Sequence, residues 1–202
     1  MEATEHIVNS FCNYLLEWLT VPNIKCKGGK EIDLLAVDPR SGRRYHVETT
    51  GSTTGKFRFL TSKDVEQWPN DRPAQRKFIE YFDKEKFEHA SILDRLKEYG
   101  FLKGNYKKVV VTWDISSNLI SRLEDGQIKG RITEIPTYQY KGLMIWKIPD
   151  ILDTFLDRPK LDNWYVSDDI YRTLQLVAMK LKHNQKRLGR PSGPNIKEFT
   201  EW

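Results

Sequence analysis

A chain of 202 residues, 39% apolar and 12% aromatic, can bury a full core and suits one domain, or one domain with an appendage. A mean hydropathy of -0.63, with no apolar run near the roughly 20 residues needed to span a bilayer, argues against a membrane role. The formal net charge of +5 leans toward polyanionic partners, although a solvated surface explains it equally well.

In chain order, residues 5–19 carry apolar side chains at helical spacing (Val8, Phe11, Cys12, Leu15, Leu16, Leu19), with Glu5 at the N-terminal end of the inward face. Val21-Pro22-Asn23 is expected to end that helix, before a short strand at 24–27 and a turn at Gly28-Gly29. Residues 31–38 read as a buried strand, Pro39-Arg40-Ser41-Gly42 as a turn, and 43–50 as the return strand. The segment 51–73 is rich in Gly, Thr and Ser and reads as a long surface loop, the kind that often serves function. Amphipathic helices are predicted over 74–87, with Phe78, Tyr81 and Phe82 on one side, and over 89–99, ended by Gly100. The β-branched run in 107–113 predicts a central strand with helices on both faces. There follow a helix (117–124), an irregular segment or hairpin (126–141), a strand (143–148) and a helix (150–156). Ser167-Asp168-Asp169 starts a last helix with an apolar stripe (Tyr171, Leu174, Ala178, Leu181) and a basic far end. The expected organisation is an α/β domain over 1–157, a C-terminal helix packed on it over 158–188, and a flexible basic tail over 189–202.

The hairpin register follows from its turn. With Asp38 and Arg43 flanking four turn residues, Leu35 faces His46 and Asp33 faces Glu48. Alternation then puts Asp33, Leu35 and Val37 on the same sheet face as His46, Glu48 and Thr50. Two carboxylates about 5 Å apart on one face repel by about 3 kcal/mol at an effective dielectric near 20, and burial raises that cost. A divalent cation removes the conflict, since Mg²⁺ or Mn²⁺ is held by one or two carboxylates with waters completing the shell. Solvent at a sheet edge, or pairing with Lys30 or Arg44, would relieve it without a metal. His46, on the face of Glu48, is a donor to the metal ligands, a general base, or simply a packed and hydrogen-bonded histidine.

These residues carry a resemblance. Glu5 on the first helix, then Gly29-Lys30-Glu31-Ile32-Asp33-Leu34-Leu35-Ala36, then Tyr45-His46-Val47-Glu48-Thr49-Thr50, resemble the PD-(D/E)XK nuclease superfamily, which includes Holliday junction resolvases and many restriction endonucleases. The first fifty residues carry it well and the later helix–strand–helix order loosely. It implies a restriction-endonuclease-like α/β fold, a mixed β-sheet flanked by helices with an αβββαβ core. It also implies a Mg²⁺- or Mn²⁺-dependent endonuclease that cleaves phosphodiester bonds in nucleic acid, DNA before RNA. Asp33 stands at the motif's metal-binding aspartate, Glu48 at its second acid, and Glu5 at the acid that the first helix often contributes. Ile32 replaces the motif's proline, a tolerated change, and Thr50 replaces its lysine. Threonine brings a hydroxyl and no cation. The cation then comes from elsewhere, the enzyme works without it, or the fold is an inactive module that binds nucleic acid or protein. Candidates for a migrated cation are Lys77 and Arg76 on the following helix and Lys56 in the loop, with Gln75 as that helix's other polar candidate.

Phosphate contacts are expected from Lys56, Arg58, Lys63 and Arg76, and from the basic cluster Lys186, Arg187 and Arg190, whose Arg-Pro faintly resembles the core of an AT-hook. Trp68 and Trp164, near loops, are the expected stacking platforms; Trp113 and Trp146 are expected in the core. Cys12 and Cys26 are too few and too far apart for a zinc site and are expected as reduced thiols. The start Met1-Glu2-Ala3-Thr4-Glu5 lacks the basic opening of a secretory signal, so a cytoplasmic location is expected, and a homodimer is allowed. No P-loop, dinucleotide fingerprint, HExxH or GxSxG pattern is present, which leaves nucleotide hydrolysis and serine chemistry without support.

Overall fold

The structure, a computed structural model, describes residues 2–50, 59–60, 82–115, 119, 123–129, 134–157, 173 and 177. Helix α1 (Ala3–Ser10) opens with a reciprocal cap between Glu2 and Glu5 and runs into one π-helical turn, Phe11–Leu15. There the Leu16 N–H donates to the Phe11 carbonyl at 3.1 Å. Glu17, at φ 56°, then turns the chain out of the helix. Strand β1 (Leu19–Lys25) begins where the apolar spacing predicted more helix. Leu19 is 66% exposed, so its place in that spacing is fortuitous. Pro22 lies inside β1, not at a break, because β1 is an edge strand and its missing N–H can face away from the ladder.

Strands β2 (Glu31–Val37) and β3 (Arg44–Thr49) form the expected hairpin. Its turn is closed by Asp38 N–H donating to the Arg43 carbonyl and Gly42 N–H donating to the Asp38 carbonyl, both at 2.9 Å. The Asp38 side chain accepts from Arg40 N–H and from the Ser41 hydroxyl, an arrangement that suits aspartate at the head of a turn. From β3 the chain reaches β4 (Phe59–Leu60), a π-helical turn (Asp83–Phe87), helix α2 (Ala90–Glu98) and strand β5 (Tyr106–Thr112). The rest is β6 (Asp114–Ile115), β7 (Glu124–Lys129), β8 (Glu134–Tyr140), β9 (Leu143–Lys147) and helix α3 (Ile148–Asp157).

Among the described residues, seven strands make one mixed sheet in the order β1-β2-β3-β5-β9-β8-β7, and β4 and β6 pair separately in parallel. β3, β5 and β9 run parallel to one another, with antiparallel strands outside them. β5 holds the predicted central place, and Val109, Val110 and Val111 are fully buried. Helices cover both faces, as such a run requires. On one face Phe11 and Trp18 pack on Trp146, and Trp18 stacks on Tyr45. On the other, Phe87 joins Val110, Leu143 and Ile145, while Ile92 and Leu96 of α2 pack with Ile32 and Leu35. The molecule is thus an α/β protein with helices flanking a mixed sheet.

In the second half one expectation changes and one open alternative is settled. The predicted helix at 117–124 stops short of Glu124, which opens β7, and the segment 126–141 is mostly the β7–β8 hairpin. Of that helix only Leu119 is described as helical. Lys141 and Gly142, at φ 46° and 80°, link β8 to β9 as a two-residue turn of the kind that antiparallel strands prefer. Trp113 is half-buried between β5 and β6, unlike the fully buried Trp146. Both cysteines are free, Cys12 buried and Cys26 half-buried.

The chain divides into two units, Met1–Ile151 and Leu152–Trp202. Beyond α3 only Thr173 and Val177, both helical, are described, so the helix from Ser167 and the tail 189–202 lie outside the described residues. Among the described residues no helix is long and apolar enough to cross a membrane. Phe11 meets Trp146 edge-on, ring centroids 6.2 Å apart, with both side chains fully buried. Phe11→Ala should therefore cost about 3–5 kcal/mol in urea unfolding and Phe11→Leu clearly less; equal losses would show that this contact does not anchor α1.

Candidate metal centre

The hairpin pairing runs Val37–Arg44, Ala36–Tyr45, Leu35–His46 and Leu34–Val47, the register expected from the turn. Continued by one step, it brings Asp33 opposite Glu48. Here main-chain pairing gives way to side chains. The Asp33 N–H donates to Glu48 Oε1 at 3.4 Å, while Asp33 Oδ2 accepts from the Thr49 N–H at 2.7 Å and its hydroxyl at 3.1 Å. The other neighbour of β2 loosens at the same level. β1 pairs from Leu19–Val37 to Pro22–Leu34 and again at Ile24–Ile32, and Asn23 between them has φ 53°. That left-handed conformation is tolerated best by glycine and asparagine.

Both acids are buried, Asp33 to 5% exposure and Glu48 completely. Burial and the Glu48 charge push Asp33 up to about 6, against the opposing pull of Lys86 and Thr49. Burial pushes Glu48 up to about 7, again against Lys86. What stabilises the pair is the Lys86 ammonium, 2.6 Å from Glu48 Oε2 and 3.5 Å from Asp33 Oδ1. Lys86 Nζ also donates to the Glu31 carbonyl at 3.5 Å. Burial works to lower the Lys86 ammonium, but Glu48 and Asp33 outweigh it and hold it above the ordinary lysine range. At an effective dielectric near 20, a cation about 3 Å from a carboxylate gains on the order of 5 kcal/mol, more than the acids lose to each other.

Lys86 was not among the cations expected from the sequence, although its signal is there. It lies four residues after Phe82, on the apolar side of the helix predicted over 74–87, beside Phe87. The local structure is a π turn, with Glu88 N–H donating to the Asp83 carbonyl at 2.9 Å. The wider turn buries Phe82 and Phe87 together and carries Lys86 inward with them. Such turns recur at functional sites. Lys56, Arg58, Lys63, Gln75, Arg76 and Lys77 lie outside the described residues, as do Lys186, Arg187, Arg190, Trp68 and Trp164.

Thr50, at the position of the motif's lysine, is buried, and its N–H donates to the Val111 carbonyl at 2.8 Å. Its hydroxyl has no hydrogen-bond partner among the described residues. Glu5 reaches the site from α1. Oxygens of Glu5, Glu31 and Asp33 lie within 4.8 Å of one another. Burial and the Asp33 charge raise Glu5, whose Oε2 also accepts the Glu2 N–H at 3.0 Å. Glu31, two residues before Asp33, is an acid to which the motif assigns no role. His46 Nε2 lies 2.8 Å from Glu48 Oε1, with the imidazole fully buried and edge-on to Phe87 at 4.7 Å between centroids. Burial lowers it to about 3, which keeps the ring neutral.

The donor set fits a hard divalent cation. Asp33 Oδ1 and Glu48 Oε2 face Lys86, whereas the other oxygen of each acid is held by hydrogen-bond donors, and Glu5 and Glu31 extend the oxygen surface. No family model, curated protein or solved structure matches the chain.

The raised acids set a pH signature. A carboxyl whose folded value exceeds its unfolded value contributes stability below the unfolded value and loses it as pH rises through the folded one. His46, lowered on folding, works in the opposite sense, since its contribution is lost as pH falls through its own range. A difference between variants isolates Asp33. In metal-free buffer, Asp33→Asn should gain stability relative to the parent as pH rises from about 4 to about 6, then hold level, in paired denaturation curves. A difference that stays flat across that window would contradict the raised Asp33.

Proposed function

We propose that the protein is a metal-dependent endonuclease, a phosphodiesterase acting on DNA, with a restriction-endonuclease-like αβββαβ core. The observation that carries this reading is the meeting of Asp33, Glu48 and Lys86: two buried acids on adjacent strands share one ammonium. That supplies the acid–acid–cation set of the PD-(D/E)XK motif, with the cation drawn from the segment after β3 and Thr50 left in the motif's lysine position.

In this reading Asp33 and Glu48 would hold Mg²⁺ or Mn²⁺, and Glu5 and Glu31 would hold its waters or a second ion. Bound there, the ion would polarise the scissile phosphate and favour the hydroxide form of a bound water. Thr49 fixes the Asp33 carboxylate through two donors on one oxygen, which leaves the other for the ligand. Lys86 offers its ammonium to the phosphate oxygens, where charge builds up during in-line attack. The net charge of +5 favours a polyanionic substrate.

A second reading has its own support. Lys86 relieves the repulsion between the acids without a metal, so a binding module that has lost catalysis would also keep this triad. Incubation with supercoiled, linear and branched DNA, with and without Mg²⁺ or Mn²⁺, separates the two. The endonuclease reading expects metal-dependent cleavage that disappears in Asp33→Ala and drops about 10²–10³-fold in kcat in Lys86→Met. Cleavage of none of these DNAs, together with DNA binding that Asp33→Ala leaves unchanged, would favour the binding module.

A further inference from the structure

We infer that His46 is a positioning residue that clamps one oxygen of Glu48 so that the other is presented to the cation, an inference that rests on the metal-site reading above. The geometry is specific. An ionised carboxylate only accepts, so a neutral His46 facing it donates from Nε2 to Glu48 Oε1 at 2.8 Å. The Asp33 N–H approaches the same oxygen at 3.4 Å. Oε1 is thus engaged by two donors from protein, while Oε2 faces the Lys86 ammonium at 2.6 Å. A carboxylate free to rotate would exchange these oxygens; one held by His46 cannot.

The imidazole is itself fixed. It is fully buried, meets the edge of Phe87, and is two residues from Glu48 on the same strand face. Phe87 adjoins Lys86 on the π turn, so one ring orders the acid and supports the segment that brings the cation. Its Nδ1 has no hydrogen-bond partner among the described residues. A histidine kept only for core packing would more often have both ring nitrogens satisfied or be replaced by an apolar side chain. Here a single directed bond, to the acid, accounts for an imidazole in this place.

Glutamine carries its amide near the position of Nε2, and asparagine near that of Nδ1. Mn²⁺ binding to the full-length protein, followed by the electron spin resonance of free Mn²⁺, should weaken about 10–100-fold in His46→Leu. It should stay close to the parent in His46→Gln and weaken in His46→Asn. With folding checked by circular dichroism and melting, a folded His46→Leu that binds Mn²⁺ like the parent overturns the inference and leaves the metal site standing. If His46→Leu does not fold, the Gln and Asn variants decide, and equal affinity in those two overturns it. Absence of Mn²⁺ binding in the parent, or binding that Asp33→Ala does not weaken, overturns the metal-site reading and this inference with it.

Discussion

Two carboxylates buried side by side cannot both stay ionised unless a positive charge joins them, and much of this molecule can be read as the means of supplying one. Glu48 is fully enclosed and Asp33 nearly so, and burial alone drives both toward the protonated state. The Lys86 ammonium reaches one oxygen of each. Removing one member of such a buried set leaves the others uncompensated, typically at about 3–5 kcal/mol. The three side chains therefore stand as one unit, although Lys86 is far from the acids in sequence.

The fold provides the acids through the β2–β3 hairpin and the cation through the π turn that leads into α2. At Asp33 the sheet relaxes its ladder on both sides. Asn23 takes a left-handed conformation in β1, and toward β3 the bonds run through the side chains of Asp33 and Glu48. Thr49 and His46 each hold one carboxylate oxygen, so the remaining oxygens point to a common place. The regular, doubly covered strand β5 next door supplies the rigidity that the relaxed hairpin end lacks.

The hairpin and its acids were legible in the sequence because turn chemistry and a period of two leave little freedom. Asp38 and Gly42 frame a turn that fixes the register, and the register alone brings Asp33 toward Glu48. The β-branched run at Val109-Val110-Val111 announced the central strand in the same way. Lys86 was not legible because at helical spacing a lysine beside phenylalanines reads as solvated, whereas the π turn rotates it inward. Only the end of β1, at Ile24 and Lys25, falls within the strand expected over 24–27; its first part escaped because Pro22 reads as a breaker unless the strand is known to lie at an edge, which only the sheet order reveals. The hairpin of β7 and β8 lacked a strong two-residue turn signal between its strands, so the sequence left it open between a hairpin and an irregular segment.

In the proposed metal site, the oxygens now shared by Lys86 would be the ligands of a divalent cation. Crystals grown or soaked with Mn²⁺ test it directly through anomalous scattering. The expected result is a Mn²⁺ peak between the Asp33 and Glu48 carboxylates, with the Lys86 ammonium withdrawn from them. A well-ordered structure with no peak there, and with Lys86 still bridging the two acids at saturating Mn²⁺, would contradict it.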